Sequence, residues 1–181
     1  MSSIYLGPWR IDVDRRDGVP RVAPATSLAR TVAAALDAAN APTPASIGLI
    51  LADDAELSGL NETHMGKDGP TDVLSFPLLP PEAYPAHAGN ASRSTESAAD
   101  GFVLPPGQRI HLGDIVVSVE RAIEQAAQGR GGQTGDVRWD ARDELRLLVT
   151  HGALHVCAWD HAEPTEEAAM RALERCLLAG G

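Results

Sequence analysis

Apolar residues along this chain recur in two periods, and the switches between them lay out its elements. Residues 4–14 alternate loosely between apolar and polar and predict a first strand. SLARTVAAALDAA at 27–39 has apolar residues at helical spacing, with Thr26 or Ser27 as cap and Asn40-Ala41-Pro42 as stop. SIGLILAD at 46–53 is a nearly continuous apolar run and reads as a buried strand, after which Asp54 caps a short helix to about residue 63. VLSFPL at 73–78 and DIVVSV at 114–119 read as further strands, followed by helices at 120–129, 140–157 and 165–178. Thr165 is expected to cap the last helix, with Glu166 and Glu167 in its first turn where the helix dipole favours anions. The sum is an α+β fold, a single mixed sheet packed with helices, in one domain over 1–181.

Two stretches break the periodicity. Residues 80–108 (PPEAYPAHAGNASRSTESAADGFVLPPGQ) are rich in Pro, Ala, Ser and Gly and poor in large apolar residues, which predicts a flexible insertion. His87 within it reads as a solvated histidine. GRGGQTG at 129–135 predicts a second flexible connection.

Composition narrows the class. Apolar residues make up 44% of the chain, close to the globular norm, and no apolar run approaches the roughly 18 residues a membrane span needs. MSSIYLGPWRIDVDRR lacks a basic region followed by an apolar stretch, so no secretion signal is expected. Cys157 and Cys176 read as reduced thiols, and the expected location is the cytoplasm. Fifteen basic against twenty-five acidic residues give a net charge of −10, which opposes a nucleic-acid role unless cations gather locally. Lys67, Arg109, Arg121, Arg130, Arg138 and Arg142 are the candidates for such a patch.

The chemistry concentrates in HGALHVCAWDH, where His151, His155 and His161 fall within eleven residues. The first two are four apart and share one helix face. The third closes the site if the helix ends just after His155 and the chain folds back. Three imidazoles plus an open position are how a catalytic zinc is usually held, so a single Zn2+ at the end of this C-terminal helix is expected. Imidazole also suits copper, iron and nickel. Cys157 lies about 200° around the axis from His155 and should point away from the ion. In zinc proteases of the HExxH type the residue after the first histidine is the glutamate base. Here it is Gly152, which argues against proteolysis.

The same segment resembles the signature of the bacterial YbeY endoribonucleases, which are rRNA maturation factors, approximately HGxLHLxGYDH. The resemblance extends to LNETHMGKDGPTDVLSFP at 60–77, LGDIVVSVERAIEQA at 112–126 and EAAMRALE at 167–174. Four blocks in the family's order cover most of residues 47–178. The resemblance implies zinc ligation by His151, His155 and His161. It further implies cleavage of single-stranded RNA in rRNA processing, at the 3′ end of the small-subunit rRNA, with small-subunit components as partners, and a part in ribosome quality control. It also places Ser75 in the cleft. The chain departs from the pattern at His64-Met65, where the family has Tyr-Arg, and at Ala158, where the family has a glycine that ends the helix with positive φ. The missing arginine is a natural phosphate clamp. Lys67 is a nearby cation.

Asp160, next to the third histidine, is a candidate to orient an imidazole, against an ordinary turn role. Asp72 and Asp114 are weaker candidates, with turn roles favoured. The general base is not evident. One route is direct attack of an activated water on the phosphodiester, and the other is attack by the ribose 2′-hydroxyl, leaving a cyclic phosphate. Two further readings stand beside the nuclease: a metal hydrolase of another substrate, and an assembly factor in which zinc is purely structural.

Overall fold

The computed structural model describes residues 1–66, 68–69, 71–90, 108–129 and 139–180. Five strands form one mixed sheet: β1 (Ser2–Leu6), β2 (Trp9–Arg15), β3 (Ala45–Ala52), β4 (Val73–Pro77) and β5 (Ile110–Ser118), in the order β1-β2-β3-β5-β4. β2, β3 and β5 run parallel, while β1 and β4 pair antiparallel at the two edges. Five α-helices accompany them: α1 (Ala25–Ala38), α2 (Asp54–Met65), α3 (Val119–Ala127), α4 (Ala141–Val156) and α5 (Pro164–Ala179). The expected α+β mixed sheet packed with helices is what the chain forms.

The period-two pattern explains which face is buried. Ile11 and Val13 of β2, Ile47, Leu49 and Leu51 of β3, and Leu112, Ile115 and Val117 of β5 all belong to one buried core. Leu28, Val32 and Leu36, each one helical turn apart on α1, pack into it with Leu145, Leu148, Val149 and Leu154 of α4. Burying each such side chain stabilises the fold by roughly 1.5–3 kcal/mol relative to exposure. A smaller cluster on α2, with Leu57 against Ala52 and Val116, accounts for the short helix after β3.

Several boundaries differ from the periodic reading, each for a local reason. The first apolar stretch is a hairpin of two strands, because Gly7 takes a φ of 57° and turns the chain ahead of Pro8. Asp53, not Asp54, caps α2 by accepting from the Glu56 N–H at 2.8 Å. Helix α1 follows Pro24 in extended backbone and has no side-chain cap from Thr26 or Ser27. In α5 the first helical residue is Pro164, whose fixed φ suits that position, so Glu163 rather than Thr165 occupies the cap.

The described part of the 80–108 insertion is structured. It holds two short 3-10 turns, Pro81–Ala83 and Ala88–Asn90, and the second packs against α5. Tyr84 is buried in the core. The remainder, 91–107, and 130–135 of the second expected connection lie outside the described residues.

Candidate metal centre

Helix α4 carries two of the three histidines and is well defined at both ends. Asp140 accepts from the backbone N–H groups of Arg142 and Asp143 at 2.8 and 3.0 Å, and the Asp143 carboxylate accepts from the Asp140 N–H at 3.4 Å. At the far end the Ala158 N–H donates to the His155 carbonyl and the Trp159 N–H to the Leu154 carbonyl, at 3.1 and 3.0 Å. This is a Schellman stop, with Ala158 in the left-handed position at φ 65°. The turn brings His161 back over the helix. The three imidazoles then face one another, with ring centroids 4.5, 5.0 and 5.4 Å apart.

Hydrogen bonding fixes the tautomers of the helical pair. His151 Nδ1 lies 2.7 Å from Glu174 Oε1 of α5, and His155 Nδ1 lies 2.9 Å from the Trp159 carbonyl oxygen. Both partners accept, so each ring donates through Nδ1 and leaves the lone pair on Nε2. Those two Nε2 atoms are 3.0 Å apart. Two lone pairs facing at that distance repel unless a metal ion or a proton lies between them. A tetrahedral ion with nitrogen ligands at 2.0–2.1 Å holds its ligand atoms about 3.3 Å apart. Burial first, then the neighbouring His151 and His161, push the His155 imidazolium down to about 4, so the ring is neutral near pH 7. One ligand atom from each of the three histidines falls within 4.8 Å of the others, and the cluster can hold a metal ion.

Cys157 is fully buried in the core, as its helical phase predicts. Gly152 sits where α4 crosses β4 and β5. A Cβ there would stand 2.6 Å from Ile115 Cγ2 and 3.0 Å from Val73 Cγ2, which leaves no space for a glutamate side chain. Ser75 Oγ donates to the Gly152 carbonyl at 3.0 Å.

The histidines open on a cleft of about 870 Å³ whose walls include Met65, Asp68, Thr71, Asp72, Ser75, Trp159 and Asp160. A second cleft, of about 190 Å³, runs past the other side of His151 and His161 along Glu167, Met170, Arg171 and Glu174. Asp160 Oδ1 accepts from the His161 backbone N–H at 2.8 Å. The imidazoles of His151 and His155 are held by Glu174 and the Trp159 carbonyl. Asp72 accepts from the Val73 N–H and from Gln125 Nε2, at 3.0 and 3.2 Å, consistent with its expected turn role. Asp114 lies on β5 beside His111 and outside the residues lining the two clefts.

The expected basic patch does not form from its described members. Arg109 bonds the Pro8 carbonyl and lies over the Tyr5 ring. Arg121 pairs with Asp54 and Glu124, and Arg142 reaches Ser27. None of the three lines either cleft. Lys67, Arg130 and Arg138 lie outside the described residues. Among the described residues lining the clefts, Arg171 is the cation that the sequence reading missed, and it pairs with Glu167.

Comparison with known proteins matches the chain to one family. The sequence model for endoribonuclease YbeY matches residues 14–180. The chain belongs to the YbeY endoribonuclease family. Among YbeY relatives, the endoribonuclease YbeY of Roseiflexus castenholzii is 36% identical over 169 residues, which is 93% of this chain and 90% of that one. The Thermobifida fusca endoribonuclease YbeY is 37% identical over 170 residues, covering 94% and 92%. A Thermotoga maritima protein solved in solution shares the fold at a TM-score of 0.50 and 19% identity, with 94% of this chain and 90% of that one covered.

Within this YbeY chain, Glu174 was legible as an anomaly that the sequence reading passed over. It repeats the buried stripe of Glu166 and Met170 at four-residue spacing, an acid on a core-facing line. A carboxylate there needs a partner, and His151 provides it. The Trp159 carbonyl left no such trace, because a backbone acceptor has no residue type. His87, expected to be solvated, instead stacks on Trp159 with centroids 4.2 Å apart and planes 10° from parallel.

Proposed function

We propose that this protein is a zinc-dependent endoribonuclease that cleaves single-stranded RNA in the maturation of ribosomal RNA, at the 3′ end of the small-subunit rRNA. The observation that carries the metal reading is the 3.0 Å approach of the His151 and His155 Nε2 lone pairs, with both Nδ1 atoms already committed as donors. His151, His155 and His161 are the proposed ligands, with Zn2+ favoured by three neutral imidazoles. When bound, a divalent ion polarises a phosphoryl oxygen and brings the pKa of a coordinated water toward about 7. Family membership supplies the reaction class, RNA cleavage. Ribosomal RNA and small-subunit components as partners, a part in ribosome quality control and a cytoplasmic site of action belong to the same proposal. In the described residues no helix is long and apolar enough to cross a membrane.

The protein's own groups have distinct proposed tasks. Glu174 and the Trp159 carbonyl hold two imidazoles in the tautomer that presents Nε2. Ser75 lines the cleft with its proton donated to Gly152, so its oxygen lone pairs face solvent or substrate. Asp160 closes the turn that carries His161. Cys157 in the core leaves the cluster as three imidazoles, which favours a catalytic centre over a closed structural one.

The test is cleavage of an end-labelled single-stranded RNA by the wild type and His155→Ala, prepared side by side. Activity lost in a folded, metal-depleted variant supports the reading, and equal activity in both exposes a contaminating nuclease. A 2′,3′-cyclic phosphate on the new ends would exclude direct hydrolysis by water as the only step.

A further inference from the structure

The segment from Tyr84 to Asn90 belongs to the insertion, yet it lies against the turn that follows the α4 histidines. Three contacts join them. The His87 ring stacks flat on Trp159, with centroids 4.2 Å apart and planes at 10°. The Asp160 N–H donates to the Gly89 carbonyl at 2.8 Å. Gly89 itself is so close to the indole that a Cβ there would fall 2.2 Å from Trp159 Cε3. The segment braces itself as well, since the Gly89 N–H donates to His87 Nδ1 at 3.2 Å.

The residues so gripped are the ones that aim the ligands. The Trp159 carbonyl accepts from His155 Nδ1 at 2.9 Å, and Asp160 Oδ1 accepts from the His161 backbone N–H at 2.8 Å. Ala158, just before them, holds a positive φ that a non-glycine residue adopts reluctantly. A turn that starts from an unfavourable conformation needs outside contacts to keep its carbonyl fixed in direction.

We propose that the 84–90 strap is a positioning element for the metal centre, with His87 and Gly89 clamping the Trp159–Asp160 turn so that His155 and His161 converge. His87 acts through Trp159, on whose ring it stacks. The inference rests on the reading that the three histidines bind a divalent metal.

The test uses the full chain and two probes, Zn2+ affinity by competition with a chromophoric chelator and the visible spectrum of the Co2+-loaded protein. His87→Ala removes the flat face over the indole, and Gly89→Ala pushes a methyl into it. Each is expected to weaken Zn2+ binding roughly 10-fold, within the range for outer partners of metal ligands, and to alter the Co2+ bands. His87→Phe keeps a stacking ring and is expected to restore affinity and spectrum. If His87→Ala does not fold, His87→Leu fills the space without a flat aromatic face and takes its place. Wild-type affinity and an unchanged Co2+ spectrum in the His87 and Gly89 variants overturn the strap's role. A wild type that binds neither ion overturns the metal reading itself, a different outcome.

Discussion

His151 and Glu174 join the two C-terminal helices through one hydrogen bond, Nδ1 to Oε1 at 2.7 Å. Glu174 is buried, and the imidazole N–H that faces it offsets the cost of placing a carboxylate there. The bond fixes the ring's tautomer and makes Nε2 a better donor. Replacing Glu174 with Gln keeps an acceptor but removes the charge, and Glu174→Ala removes both. Zn2+ affinity measured by chelator competition is expected to fall by about 10-fold in the first and toward 100-fold in the second. Equal affinity in all three proteins would show that His151 needs no orienting partner.

Gly152 tests the close crossing of α4 over β4 and β5. Alanine is ordinarily the better helix former by up to about 1 kcal/mol. Here its methyl would meet Ile115 Cγ2 at 2.6 Å and Val73 Cγ2 at 3.0 Å, both on stiff β-branched side chains. Overpacking of this kind costs about 1–3 kcal/mol and outweighs the propensity gain. Urea denaturation of Gly152→Ala should therefore show a net loss of up to about 2 kcal/mol. A gain in stability would mean that the sheet yields to the helix.

The two cysteines should separate cleanly by reactivity. Burial pushes the Cys157 thiol up to about 12, whereas Cys176 is exposed on α5. The thiolate is the reactive form, so a thiol reagent at pH 8 should modify Cys176 alone in the native protein and both residues after unfolding. Modification of Cys157 in the native state would reveal opening of the α4 terminus.

What the sequence disclosed depended on whether a feature leaves a side-chain signature. The histidine pair at i, i+4 and the apolar periodicity of β3, β5 and α4 are such signatures, and the mixed sheet and the cluster followed from them. The positive φ at residue 158 was legible because the family's glycine marks it, and Ala158 adopts it at 65°. The hairpin at Gly7 was missed because alternation continued across the turn. The strap was missed because Pro, Ala, Ser and Gly signal loops whether or not their backbone is held by neighbours. Arg171 escaped because its place on α5 carries no mark in the sequence of which helix face would turn toward the histidines.

Ala158→Gly should be mildly stabilising. The left-handed conformation costs a non-glycine residue roughly 1–2 kcal/mol, and glycine's extra unfolded-state entropy returns about 0.4–1 kcal/mol of that. The net gain expected in urea denaturation is at most about 1.6 kcal/mol. Ala158→Val, with a branched side chain at the same φ, should lose stability.

An acidic protein that cleaves RNA needs cations at its cleft to hold the phosphate backbone. Met65 lines the large cleft and is 47% exposed, and the charged residues around it there, Asp68, Asp72 and Asp160, are acidic. Arg171, on the α5 side of the histidines, is the described cation in reach. Under the RNA-cleavage reading, Arg171→Ala should weaken binding of a single-stranded RNA and lower the slope of log affinity against log salt by roughly 0.7, the value for one phosphate contact. Met65→Arg should act in the opposite direction, because a guanidinium binds phosphate through two parallel hydrogen bonds. A charged hydrogen bond contributes about 1.5–3 kcal/mol, and competition from the neighbouring Asp68 reduces it, so a gain of about 10-fold in kcat/KM is expected. Met65→Leu, which changes shape but not charge, should leave kcat/KM where it is. If Met65→Arg cleaves no faster than Met65→Leu, position 65 has no phosphate to hold.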